Sequence, residues 1–116
     1  AMRKASGEVF IHMNIDNILY PNALGVIDKH MRMSNKPIAT FEIWHHKLGI
    51  HLTGIPPRNG CIDMLQFVAA REVWESINFE FVGKEQYQCD GITIEHILSV
   101  WQDSLVHIPE KLGENF

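Results

Sequence analysis

Seven histidines stand in this chain of 116 residues, and three of them, His45, His46 and His51, crowd into one short stretch. Imidazole is the side chain whose unperturbed pKa lies closest to neutrality. Paired histidines can therefore trade acid and base roles, and their nitrogens can ligate a metal. The stretch from Pro37 to Thr53 has the pattern of a β-hairpin. Phe41 and Ile43 alternate with Glu42 and Trp44 on the way up, and Ile50 and Leu52 alternate with His51 and Thr53 on the way down. Gly49 supplies a turn residue that tolerates positive φ.

Burial must take Phe41, Ile43, Ile50 and Leu52 on one face, and His45 joins them by parity. The opposite face then collects Glu42, Trp44, His46, His51 and Thr53. A turn at Leu48-Gly49 sets His46 directly opposite His51, with Cβ atoms ~5 Å apart. A turn at Lys47-Leu48 instead sets Trp44 opposite His51 and moves His46 toward the tip.

This face admits three chemistries. His46 and His51 could act as acid and base with Glu42 orienting one of them, which suits metal-independent phosphodiester cleavage. The same three side chains offer N, N and O ligands of the kind zinc accepts. Their spacing fits no named metal motif, however, and a helical His-Glu-x-x-His is absent, so no metal is expected. As a binding face, Trp44 among histidines and a carboxylate has the mixed aromatic and polar composition of interface cores. Binding is the leading reading, with Glu42, Trp44, His46, His51, Thr53 and Arg58 as its residues. An ordinary solvated or covered sheet face is the plain alternative.

Other chemistry is thinly represented. No Gly-x-Ser-x-Gly elbow, phosphate-cradling glycine loop or Cys-x-x-Cys occurs, so no cofactor is expected. Cys61 falls near the start of an expected helix, where a thiol pKa can drop. The loop Pro56-Pro57-Arg58-Asn59-Gly60 ahead of it could hold an anion around Arg58 and free N–H groups, though a rigid connector is the simpler role. Cys61 and Cys89 are expected to be small buried hydrophobes rather than a bridge. His12 belongs to the minority face of the first strand. His30, His96 and His107 fall on expected helices away from the apolar stripes and are expected to face solvent.

The elements that must position these groups follow from periodicity. Val9, Ile11, Met13 and Ile15 alternate across a strand from Glu8 to Ile15. Asn22 opens a helix to about Met33, with Leu24, Ile27 and Met31 stacked and Gly25 a weak point. After the hairpin, a second helix runs from Asn59 to about Ile77, with the stripe Ile62, Leu65, Ala69, Val73, Ile77 and with Asp63 near its positive end. Phe79 to Val82 forms a short strand, with a weaker extended stretch at Gln86 to Cys89. Thr93 to Ile108 forms the last helix, on the stripe Ile94, Ile97, Leu98, Trp101, Leu105 and Ile108, and Pro109 ends it. The order is β-α-β-β-α-β plus a helix. It matches a ferredoxin-like, antiparallel α+β arrangement within one domain over residues 2–116.

Composition bounds the class. Hydrophobic residues make up 46% and charged residues 21%, which excludes intrinsic disorder. Ten basic against fourteen acidic residues leave a formal charge of −4, which argues against nucleic acid as partner or substrate. No apolar run approaches the ~20 residues of a membrane span, no charged and apolar leader opens the chain, and cysteines are few. A cytoplasmic setting without a membrane partner is therefore expected. A small acidic domain without a cofactor motif points to binding a basic protein, as an immunity-type inhibitor of a basic toxin or nuclease does. The competing classes are a small hydrolase or nuclease using His46 and His51, and a subunit of a larger assembly. The charge of −4 holds only with neutral histidines, so the attraction for a basic partner is conditional on pH.

Overall fold

Ile38, Ala39, Thr40 and Phe41 carry no charge, and such a run suits a strand covered on both faces. The computed structural model describes residues 8–57, 61–78 and 89–116. In it this run is fully buried and opens the strand on which the sheet is assembled. The strands are β1 (Val9–Ile11), β2 (Asn17–Leu19), β3 (Ile38–His45), β4 (Ile50–Leu52), β5 (Phe67–Ala70) and β6 (Leu105–Asn115). The helices are α1 (Ala23–Ser34), α2 (Arg71–Ser76) and α3 (Cys89–Val100), and a 3-10 turn spans Met64–Gln66.

β6 lies parallel to β3 along one side. Two short antiparallel strands lie end to end along the other, β5 against Ile38–Thr40 and β4 against Ile43–His45. β1 extends the sheet beyond β5 and β2 extends it beyond β6, both antiparallel. The fold is thus α+β with a mixed sheet in the order β1-β5-β3-β6-β2. The antiparallel, ferredoxin-like order expected from periodicity does not describe it.

Each face of the sheet has its own core. On one, Ala23 and Ile27 of α1 meet Ala39, Phe41, Ile43, Val68, Ile108 and Leu112. On the other, Val73, Trp74, Ile94 and Ile97 of α2 and α3 meet Phe10, Ile38, Phe67 and Ala69, with Trp74 edge-on to Phe67 at 5.8 Å. Each large apolar side chain so buried contributes ~1.5–3 kcal/mol.

The hairpin and α1 fall where periodicity puts them, although Leu24 of the expected stripe is exposed and Ala23 takes its place. Asn35 ends α1 in the left-handed region at φ 54° and returns its N–H to Arg32 and Met31. Elsewhere the elements differ. The expected strand from Glu8 to Ile15 breaks, because Asn14 and Asn17 close a turn on each other and Ile15 stands in solvent. Of the helix expected from Asn59, the described residues from Cys61 onward keep only α2. Asp63 and Gln66 form a capping box around the 3-10 turn, and Phe67 to Ala70 pair between β1 and β3 instead of coiling.

The last helix ends at Val100, before a turn in which Asp103 takes φ 57°. The residues expected as its final turns become β6, so the chain carries no helix after that turn. Pro109 does not cap a helix. It sits where β6 jumps register, Ile108 opposite Phe41 but Lys111 opposite Glu42, a bulge in which its missing N–H costs the ladder nothing. The strands expected at 79–82 and 86–89 fall outside the described residues, except that Cys89 begins α3. Among the described residues no helix is long and apolar enough to cross a membrane.

Candidate functional site

The hairpin closes in the second of its two registers. Ile43 pairs with Leu52, Trp44 with His51 and His45 with Ile50, leaving residues 46–49 as the loop with Gly49 at φ 63°. His46 therefore does not face His51, and the acid–base pair that the other register would offer is not assembled. Trp44 instead lies between His51 on β4 and Glu114 on β6.

Each histidine has its own carboxylate. His51 Nε2 is 2.7 Å from Glu42 Oε1, and His46 Nε2 is 2.5 Å from Glu114 Oε1. Tyr20 donates its hydroxyl to the other Glu114 oxygen at 2.8 Å. These bonds hold the Glu114 carboxyl below its usual range, through His46 first and Tyr20 second. Burial and the facing Glu114 carboxylate push the Tyr20 phenol up to about 12. The His46 ring also stacks on Phe116 at 4.0 Å and takes the edge of Trp44 at 6.2 Å. A short aromatic row, Trp44-His46-Phe116, thus borders two carboxylates.

Periodicity had set His107 on the solvent face of a helix. It stands in β6 opposite Thr40, its side chain 18% exposed, on the same face as Glu42. Its Nδ1 is 2.9 Å from the Thr40 hydroxyl. Its Nε2 is buried without a hydrogen bond, 3.9 Å from Glu42 Oε2. Burial lowers the His107 pKa against the upward pull of Glu42, which keeps the ring neutral near pH 7. Glu42 is thereby bracketed by His51 and His107. Among the described residues no three His, Cys, Asp or Glu side chains are grouped to hold a metal ion.

Gln66 fixes the hairpin from behind. Between the end of β4 and the start of β5, the Phe41 carbonyl has no strand partner on that side. The Gln66 amide fills the gap, donating to Phe41 O at 2.8 Å and Leu52 O at 3.1 Å while its oxygen accepts from Asp63 N at 2.9 Å. Those carbonyls belong to the residue before Glu42 and the residue after His51. Gly54, at φ 76°, keeps room for this bridge, since a Cβ there would come within 3.0 Å of the Gln66 amide nitrogen. On β6, Gly113 does the same for β2, whose Ile18 carbonyl would meet a Cβ at 2.5 Å.

The remaining sequence candidates separate. Thr53 lies one residue past β4, and its hydroxyl is 3.3 Å from the Ile55 backbone N and O, not turned to Glu42. Arg58 lies outside the described residues. Cys61 is half-buried and a free thiol, and among the described residues the next α-helix, α2, begins only at Arg71. His45 accepts from Leu48 N at 3.2 Å, and His30 lies 3.9 Å from Glu110. His96 is exposed as expected. Glu114, Tyr20 and His107 were missed as partners of the face. The β-branched alternation Val106-His107-Ile108 is the one signal that could have placed His107 on a strand. Compared with known proteins, the sequence matches no family model and no curated protein.

Proposed function

We propose that the protein is a non-catalytic binding domain that engages a basic protein partner through the face around Trp44. The observation that carries the proposal is the surface row of Trp44, His46 and Phe116 beside the carboxylates of Glu42 and Glu114. Aromatic anchors inside a charged border have the composition of interface hot spots. The Glu42 and Glu114 carboxylates on this face favour a cationic surface. Leu48 and Ile50 at the hairpin end add exposed apolar area. An immunity-type inhibitor of a basic toxin or nuclease in the cytoplasm is the specific form of this proposal.

The test is affinity capture with the whole chain, followed by titration calorimetry against the purified partner. Trp44→Ala and Phe116→Ala should each weaken binding at least ~10-fold, and Glu42→Lys should do so with a steeper effect at low salt. Parent affinity in all three variants removes this face from the interface. One observation favours a hydrolase instead: Glu42 lies between an exposed His51 and a neutral His107. Turnover of an RNA or phosphoester substrate that His51→Ala abolishes would establish that reading, and no turnover by the parent chain would end it.

A further inference from the structure

The far edge of the sheet carries a second surface. β1 closes the strand order, and among the described residues nothing pairs with its outer side. Phe10 and Ala69 face each other across the β1–β5 ladder, and Arg71 N donates to Glu8 O at 2.8 Å. Glu8 and Phe10 therefore spend their backbone groups inward, and those of Val9 and Ile11 point outward. Val9-Phe10-Ile11 carries none of the charges, prolines or bulges by which sheet edges are usually blunted. By contrast, the turn into β2 is lined by Asp16 and Asn17, and β4 is followed by Pro56 and Pro57.

Beside this edge is a groove of about 560 Å³. One helix spans about two strands, and α1 packs over β3 and β6 and reaches Val68 of β5, so the same face of β1 is covered only in part. Ile11, Val68, Ile27 and Met31 form its floor, and Val9 and Leu24, 48% and 64% exposed, stand at its margin.

We infer that β1 is the pairing edge for a second copy of this chain, joined antiparallel about a two-fold axis through Phe10. The register is set by the backbone. Only a pairing centred on Phe10 brings Val9 opposite Ile11 of the second copy on both sides of the axis, so that both outward residues exchange hydrogen bonds. That register also sets Glu8 opposite His12 of the second copy, again twice. The pair is charge-complementary once the imidazole is protonated, and cross-strand neighbours of that kind reinforce pairing. Val9 and Ile11 of both copies then line one continuous apolar strip between the two α1 helices, covering the margin now in solvent.

Sedimentation velocity on the whole chain from about 1 µM to about 1 mM should show a monomer–dimer equilibrium, and amide exchange at Val9 and Ile11 should slow as the dimer fills. Val9→Pro removes an outward N–H that the monomer does not use, at an edge position where proline is tolerated. It should leave the thermal midpoint near that of the parent and weaken dimerisation at least ~10-fold. Glu8→Lys should weaken it too, and Glu8→Lys with His12→Glu should restore it. A chain that stays monomeric at the highest concentration overturns the inference. So does a dimer that ignores both Val9→Pro and Glu8→Lys, or one whose Val9 and Ile11 amides exchange as fast as in the monomer.

Discussion

Replacing Gln66 by Leu tests how the hairpin is held. The side chain is fully buried, and its amide supplies three hydrogen bonds, to Phe41 O, Leu52 O and from Asp63 N. Leucine nearly fills the volume but leaves those groups without partners. A buried polar group left unpaired costs ~1–3 kcal/mol, and the Leu52 carbonyl and Asp63 N–H, being only partly buried, cost less than the buried Phe41 carbonyl, so the loss should be ~3–5 kcal/mol. A domain of this size is stable by roughly 6–17 kcal/mol, so the loss is a large fraction. With a urea m-value of ~1.5 kcal/mol/M, the midpoint of a fluorescence-detected urea titration should fall by ~2–3 M. Gln66→Glu sharpens the result. Its ionised carboxylate faces two carbonyl oxygens and can donate to neither, so it should be at least as damaging as Leu at pH 7. Relative to the parent it should recover on acidification, because protonation restores a donor. A Gln66→Leu loss below ~1 kcal/mol would refute the account of the bridge, since no buried carbonyl could then depend on it.

Two further outcomes follow from the site. His107 has a pKa lowered by burial from its ordinary 6.5, so the unfolded chain binds a proton that the folded chain resists. Stability should therefore fall as pH drops below about 6.5 toward the lowered value, and His107→Gln should flatten that slope in urea titrations between pH 7.5 and 5.5. The loss below pH 4.5 should persist in that variant, because it comes from Glu114, whose carboxyl is held low by His46 and Tyr20. Gly113→Ala forces a Cβ against the Ile18 carbonyl and should cost ~1–3 kcal/mol by loosening β2, read as a lower midpoint in thermal unfolding with Tyr20 freed from Glu114.

The polar face could be read from the hairpin because its alternation admits only one division of side chains between core and surface. Whether His51 faced His46 or Trp44 could not, since two turn positions satisfied that alternation equally well. Residues 59–77 and 93–108 misled for a common reason. Apolar residues spaced by three and four fit one long helix, but they also fit a helix and a strand joined in series. Pairing with a central strand decides between them, and that information lies in Ile38–Phe41, far from either stretch. The carboxylate of Glu114 and the ring of Phe116 reach His46 only because β6 runs alongside β3. No local pattern announces such a neighbour.

The place of β6 also imposes an order on assembly. It is threaded between β3 and β2, so it binds Thr40 through a residue 67 positions away and Tyr20 through one 94 positions away. The loop entropy of both closures must be met before either ladder returns any free energy. Until β6 arrives, the edges of β3 and β2 are bare and the Phe41–Ile43 core lacks Ile108 and Leu112. Closure of the sheet is consequently a late, long-range event, and the interval before it is when the exposed Ile38–Ile43 run is most open to the wrong partner.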